Sequence, residues 1–179
     1  MTDHLASMPP VVTPLAQYTR ADQDEILGSG ADPFGVADTG LTWLPKEIHF
    51  GIRQQDGRLV AHTGLRRLPL TVGGLDTEVV GVGGVAVAPD LRGRGLARAV
   101  VGAALGHART LGPRHALLFC RPPLVALYRR LGWRELDGEV AVEQPEGRVV
   151  VMPLRTMWTP LRDGADWPAG AVRLRSLPM

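Results

Sequence analysis

The residues with the clearest chemical pattern lie at 89–100, PDLRGRGLARAV. Arg92, Gly93, Arg94 and Gly95 join the end of an apolar run to the start of a helix pattern. A helix start offers unpaired backbone N–H groups and the positive end of the helix dipole. Glycines let an anion come close to those N–H groups, and arginine can add a forked contact to a phosphate. The spacing therefore suits a pyrophosphate or phosphorylated cofactor, with a solvated basic helix start as the plain alternative. It does not make a Walker A loop, which needs a lysine and a hydroxyl at its end. Nor is it the dinucleotide fingerprint, because Arg98 stands where the third glycine belongs.

Other reactive side chains are scattered. Cys120 closes an apolar run without a sequence partner, which fits a buried thiol better than a nucleophile. Asp76 or Glu78 could serve as a base through water, and His62 is another candidate that fits a satisfied structural role at least as well. No His, Cys and carboxylate set has metal-ligand spacing.

The elements that position the loop follow from periodicity. Weak patterning over residues 1–21 suggests a loose N-terminal arm, with a short strand near 11–13. A helix begins near Asp22, and residues 28–40 read as a loop. Strands are predicted at 47–54, over 59–72 as one piece or two, and at 77–88. Within the last of these, Gly83 and Gly84 permit a bulge or a close backbone approach. Leu96, Val100, Ala104 and Ala108 form the buried stripe of the next helix, broadened by Ala97, Val101 and Leu105. HALLFC reads as a strand. PPLVALYRRLGW reads as a helix with prolines in its first turn and Gly132 near its end. A closing strand pair flanks Glu146 and Gly147, and the tail beyond Thr156 looks irregular. The sum is an α/β fold with a mixed sheet, expected as a single domain over 1–179.

Bulk properties bound the partners. The chain has 179 residues, is 45% hydrophobic, and carries a formal charge of +2. That is enough for one sizeable core. No block of like charges favours nucleic acid, and no apolar run is long enough to cross a membrane as a helix. The opening MTDHLASMPP lacks the pattern of a signal peptide. A single cysteine excludes an intrachain disulfide and suits a cytoplasmic setting.

VAVAPDLRGRGLA resembles the acyl-CoA-binding motif of the GCN5-related N-acetyltransferases (GNAT), Q/R-x-x-G-x-G/A, matched by Arg92, Gly95 and Ala97. LYRRLGW resembles a later family segment, Y-x-x-x-G-F/W, through Tyr128, Gly132 and Trp133. The resemblance implies the GNAT fold, a mixed central sheet flanked by helices, and acetyl-CoA as donor. It gives the pyrophosphate to Arg92, Gly93, Arg94, Gly95, Leu96 and Ala97. The backbone of Val85, Ala86 and Val87 would polarise the thioester carbonyl. Tyr128 would be the general acid, with Glu78 taken as the candidate base. Transfer would be direct, with both substrates bound together.

A finer resemblance joins LVAHTGLRR, residues 78–97, LYRRLGW and the late DWPAG to aminoglycoside 2'-N-acetyltransferases. It implies an amino-sugar acceptor, acetylation of its 2'-amine, and a homodimer. Asp32 falls where that group has an acidic substrate-loop residue, and Asp38 is a nearby acid. Asp166 and Trp167 match its late D-W pair. Four positions depart from the pattern. Gly83 replaces a glutamate held to activate the amine, Phe119 a serine, Ala171 an acid and Arg173 a tryptophan. Fewer acids around the acceptor point to a less polycationic aminoglycoside of the kasugamycin type, whose carboxylate-like amidine substituent Arg173 could meet. The alternative acceptors are another small amine or a peptide or protein N-terminus.

Overall fold

The long apolar run at residues 59–88 folds as a hairpin that organises everything else. Its strands are β3 (Leu59–Val72) and β4 (Leu75–Val87). Gly73 and Gly74 form the two-residue turn, with φ of +57° and +80°. This is the left-handed pair that a tight hairpin requires. The computed structural model describes residues 8–30 and 32–179.

Around this hairpin the chain runs β1 (Thr13–Leu15), α1 (Arg20–Leu27), β2 (Ile48–Arg53), β3, β4, α2 (Leu96–Ala108), β5 (His115–Cys120) and α3 (Val125–Arg130). It continues through β6 (Arg134–Glu135), β7 (Val140–Glu143), β8 (Val149–Val151), β9 (Arg155–Pro160) and β10 (Val172–Leu174). The sheet order is β6-β9-β5-β4-β3-β10-β7-β8. On the β10 edge of β3, its first half pairs with β2 instead, and β1 pairs with β2. Most neighbours are antiparallel; β4 with β5 and β10 with β7 are parallel. This is the mixed sheet that the sequence implied.

Two hydrophobic clusters cover the two faces. Val100, Val101, Ala104, Leu105 and Ala108 of α2 pack with Val60, Val80, Val82, Ala116 and Leu118 on one face. Leu68, Leu70, Val79, Leu117, Trp158 and Met179 form the other. The α2 stripe is the one its four-residue repeat predicts.

Two expectations change. The segment expected as a loose arm is ordered from β1 onward, and its first seven residues lie outside the described residues. Thr19 and Asp22 close a reciprocal capping box at the start of α1, which anchors the arm. The tail beyond Thr156 is not irregular throughout. β9 pairs along the whole of β5, from His115↔Pro160 to Cys120↔Arg155. β10 fits between β3 and β7. Met157 and Trp158 are both buried, so β9 lacks the alternation that marks a half-exposed strand.

Candidate functional site

The site begins where two parallel strands part. β4 and β5 pair only at Val80↔Ala116 and Gly81↔Leu117. Beyond Gly81 the strands diverge, and the next positions, Gly83 and Phe119, flank the split. The register with β3 slips between His62 and Gly64. Gly84, at φ +60°, makes this bulge possible. After the bulge, the Ala88 N–H donates to Val60 O on β3. Backbone groups alternate along a strand, so Val87 and Val85 turn theirs the other way, into the split. The resemblance gave the carbonyl to the backbone of Val85, Ala86 and Val87; Ala86, opposite His62, turns its N–H toward β3 instead.

Below the split lies a cleft of about 560 Å³. Val85, Ala86 and Val87 form one wall, and Leu127 and Tyr128 of α3, with Leu131 just after it, form the other. Its floor is the start of α2. Gly95 is the N-cap of α2 at φ +78°, and no side chain caps the helix. The first-turn N–H groups of α2 are therefore left for a ligand. Gly93 has the same φ, and a methyl group at either glycine would meet no atom within 4 Å. These glycines serve the turn and leave room for an anion above it. Arg92, Gly93, Gly95, Leu96 and Ala97 line the cleft, whereas Arg94 does not. Asp90 and Arg58 form a two-pronged ion pair, at 2.9 and 3.1 Å, that ties the loop to the β2–β3 turn.

Tyr128 is buried, with its ring edge-on to Trp133 at 6.2 Å between centroids. Among the described residues its hydroxyl makes no hydrogen bond. Burial first, then the neighbouring Cys120, pushes its phenol above the ordinary range. At neutral pH the group is a donor. Burial also raises the Cys120 thiol to about 11, with Glu135 adding to the effect. Such a cysteine stays protonated and is a poor nucleophile.

Several sequence candidates sit elsewhere. Glu78 does not reach the cleft: it faces Pro69 and pairs with Arg67 at 2.5 Å. Pro69 lies five positions along β3 from Gly64, the partner of Gly83, roughly 16 Å at 3.3 Å per residue. Asp76 is farther still, opposite Thr71. Arg173 also faces Thr71, seven positions from Gly64 or roughly 23 Å, and pairs with Glu143 at 3.1 Å. Cross-strand partners hold all of these at the far end of the hairpin. Asp166 is an exposed residue whose main-chain oxygen meets His115 Nε2.

Asp32 and Asp38 do lie beside the cleft, through the loop whose Pro33 and Phe34 line it. Both carboxylates are engaged. Asp32 accepts from the Val36 and Ala37 N–H groups at 2.9 and 3.0 Å. Asp38 pairs with Arg121, just before α3, at 2.5 Å. His62 is fully buried beneath the bulge. Its Nδ1 lies 2.8 Å from Gly84 O and its Nε2 lies 3.0 Å from His49 Nδ1. The carbonyl only accepts, so His62 carries its proton on Nδ1, and the Nδ1 of His49 donates. Tyr18 stacks on the His62 ring at 3.5 Å.

The sequence reading missed Arg98, Leu27, Phe34, Leu127 and Leu131 as cleft residues. Leu127 and Leu131 were legible as an i, i+4 pair beside Tyr128. Arg98 was noted only as a missing glycine. It reaches across to Arg130 O at 3.2 Å and ties α2 to α3 under the cleft.

A family profile described as an acetyltransferase (GNAT) domain matches residues 38–136. Nodulation protein A of Mesorhizobium japonicum is 30% identical over 137 residues, covering 67% of this chain. The chain spans 66% of that relative, just under two thirds. Among solved structures, the Escherichia coli GNAT family N-acetyltransferase YhbS, in complex with CoA, is 19% identical with a TM-score of 0.57. The match covers 93% of this chain and 89% of that one. A GNAT family acetyltransferase from Brucella melitensis, in complex with acetyl-CoA, is 18% identical with a TM-score of 0.51, covering 92% and 96%. The E. coli ribosomal-protein-S18-alanine N-acetyltransferase is 18% identical with a TM-score of 0.53, covering 88% and 100%. These likenesses concern the fold.

Proposed function

The chain belongs to the acetyltransferase (GNAT) family, and on that premise we propose that it transfers an acetyl group from acetyl-CoA to the 2'-amine of an aminoglycoside of the kasugamycin type. The observation that carries the donor half is the split between β4 and β5 opening above an uncapped helix start. The cleft suits the donor: it has the volume of a cofactor site, an apolar wall, and unpaired N–H groups at its floor. The N–H groups of residues 92–97, with Arg92 beside them, would hold the pyrophosphate. When bound, acetyl-CoA supplies an activated acetyl thioester. The Val85 and Val87 N–H groups, turned into the split, would donate to the oxygen on which negative charge develops. Tyr128, kept protonated by its burial, would donate a hydrogen bond to the sulfur as it leaves. Cys120 takes no part, so transfer is direct. The cytoplasm and a homodimer belong to the same proposal.

The acceptor half rests on the aminoglycoside resemblance of LVAHTGLRR, LYRRLGW and DWPAG. A second reading, a small amine or a peptide N-terminus, draws on the commitment of Asp32 and Asp38 to the loop and on the distance of Arg173 from the split. Thiol release from acetyl-CoA, measured with a panel of aminoglycosides, simple amines and peptides, separates the two. Turnover with kasugamycin above the rest supports the first. Turnover of simple amines or peptides without any amino sugar replaces it with the second.

A further inference from the structure

Gly83 stands where an acid was expected to activate the amine, and the space beside it is filled. A methyl group at Gly83 would lie 3.0 Å from Lys46 Cε, and one at Gly84 would lie 3.4 Å from the same atom. Farther back, a methyl at Gly64 would lie 2.5 Å from Lys46 Cγ. Gly64 and Gly83 face each other across β3 and β4. Side-chain-free positions on both strands thus form a groove in which Lys46 crosses the sheet. Its Cε ends at the bulge, and Nζ lies one bond beyond.

The face matters. A methyl at Gly81 would meet Leu68 and Met179, both in the cluster on the side away from α2. Gly83, two residues on, shares that side. Lys46 therefore reaches the split from the side opposite the cleft, packed beside Met179.

Of the 20 lysines and arginines in the chain, Lys46 alone is lysine. The difference is chemical: Lys46 is half-buried, and a lysine drawn out of water can deprotonate near neutral pH, whereas arginine cannot. The titratable side chains packed closest to it are histidines rather than acids. His49 on β2 and His62 on β3 are both held as neutral donors in a chain ending on Gly84 O. Tyr18 stacks behind His62. β4 offers only glycines here, and Met179 presents its thioether and main-chain oxygen near Gly83. Glu47 is turned to Arg66 at 3.1 Å. Among the described residues no carboxylate pairs with Lys46, and burial alone pulls its amine below the usual range.

We propose that Lys46 is the proton acceptor for the incoming amine, reaching the split through the glycine groove in place of an acid at position 83. This rests on the acetyltransferase reading above. The acceptor ammonium gives one proton to the neutral Nζ of Lys46, which later passes it to water. The nitrogen loses its second proton as the carbon–nitrogen bond forms and the carbon–sulfur bond breaks; that proton ends on sulfur. A neutral lysine also spares the approaching ammonium a like charge.

A single lysine permits a direct test. With ¹³C-lysine incorporated, the one Cε resonance of the intact protein should titrate clearly below free lysine measured alongside. An ordinary midpoint overturns the proposal. Kinetics with whichever amine the acceptor panel selects supply the second arm. Lys46→Arg and Lys46→Met should each lower kcat/KM at pH 7 by about 100-fold, the lower end for general-base catalysis. Acetyl-CoA affinity should stay within twofold, and the deficit of Lys46→Met should shrink as pH rises and the amine deprotonates unaided. Retained activity in Lys46→Arg would mean an ammonium that binds an anion, and retained activity in Lys46→Met would mean packing; either overturns the base role. If no amine is turned over, the acetyltransfer reading fails, while the resonance still decides the state of Lys46.

Discussion

Replacing Tyr128 with phenylalanine separates chemistry from folding. The ring stays buried against Trp133, and the hydroxyl forms no hydrogen bond among the described residues. Its removal should change unfolding stability by less than about 1 kcal/mol, because no internal hydrogen bond is lost. The catalytic effect is larger. A hydrogen bond to a developing thiolate is charge-assisted, worth about 1.5–3 kcal/mol. At 1.36 kcal/mol per tenfold, kcat should fall by roughly 10- to 150-fold. We place it toward the upper end, about 100-fold, because Tyr128 itself is buried. Acetyl-CoA affinity, which the proposal assigns to the loop and the α2 N–H groups, should change by less than twofold. Steady-state thiol release gives kcat, calorimetry gives the affinity, and the absence of a product burst shows that chemistry limits the rate. The raised phenol adds a second expectation: Tyr128 should produce no alkaline fall in rate up to about pH 10, its ordinary titration range. A kcat within threefold of the parent, with chemistry limiting, would refute the acid role. A loss in affinity equal to the loss in rate would make Tyr128 a donor-binding residue.

Gly95→Val forces a branched side chain into a left-handed backbone at the N-cap of α2. The free loop relaxes this strain of about 1–2 kcal/mol by leaving that conformation and binding must restore it, so acetyl-CoA binding measured by calorimetry should weaken by roughly 5- to 30-fold. Glu78→Gln should leave kcat within twofold, since the side chain pairs with Arg67 far from the split; a large loss of turnover would restore it as a base candidate. His62 couples the bulge to pH. Burial lowers its titration to about 4, so above its unfolded value near 6.5 both states are neutral and its contribution is intact. Below 6.5 the unfolded chain binds the proton first, and stability drains until the folded group titrates near 4, by up to about 3 kcal/mol. Denaturant unfolding at pH 7 and pH 4 should show this drop, and His62→Gln should flatten it.

Local signals made much of the donor side legible. The R-x-x-G-x-A spacing, the α2 stripe and the prolines ahead of α3 depend on near neighbours; the structure lines the cleft with Arg92, Gly95 and Ala97 and buries the stripe behind them in the core. The acceptor side depends on register instead. Glu78 and Gly83 are five residues apart in sequence, yet on an extended strand that puts them at different ends of a functional distance. Arg173 aligned with a substrate position, but β10 docks on the far half of β3, a fact that three short residues cannot announce. Lys46 was invisible for a related reason. Its meaning comes from Gly64 on β3 and Gly83 and Gly84 on β4, which have no side chains to signal a site, and which become a groove only when the strands pair. A missing acid in a motif is therefore read best as a cavity whose occupant must be sought in the fold. Here the occupant comes from a loop residue 37 positions earlier, between α1 and β2, and the proposal gives this opposite-charged group the same task in its neutral form.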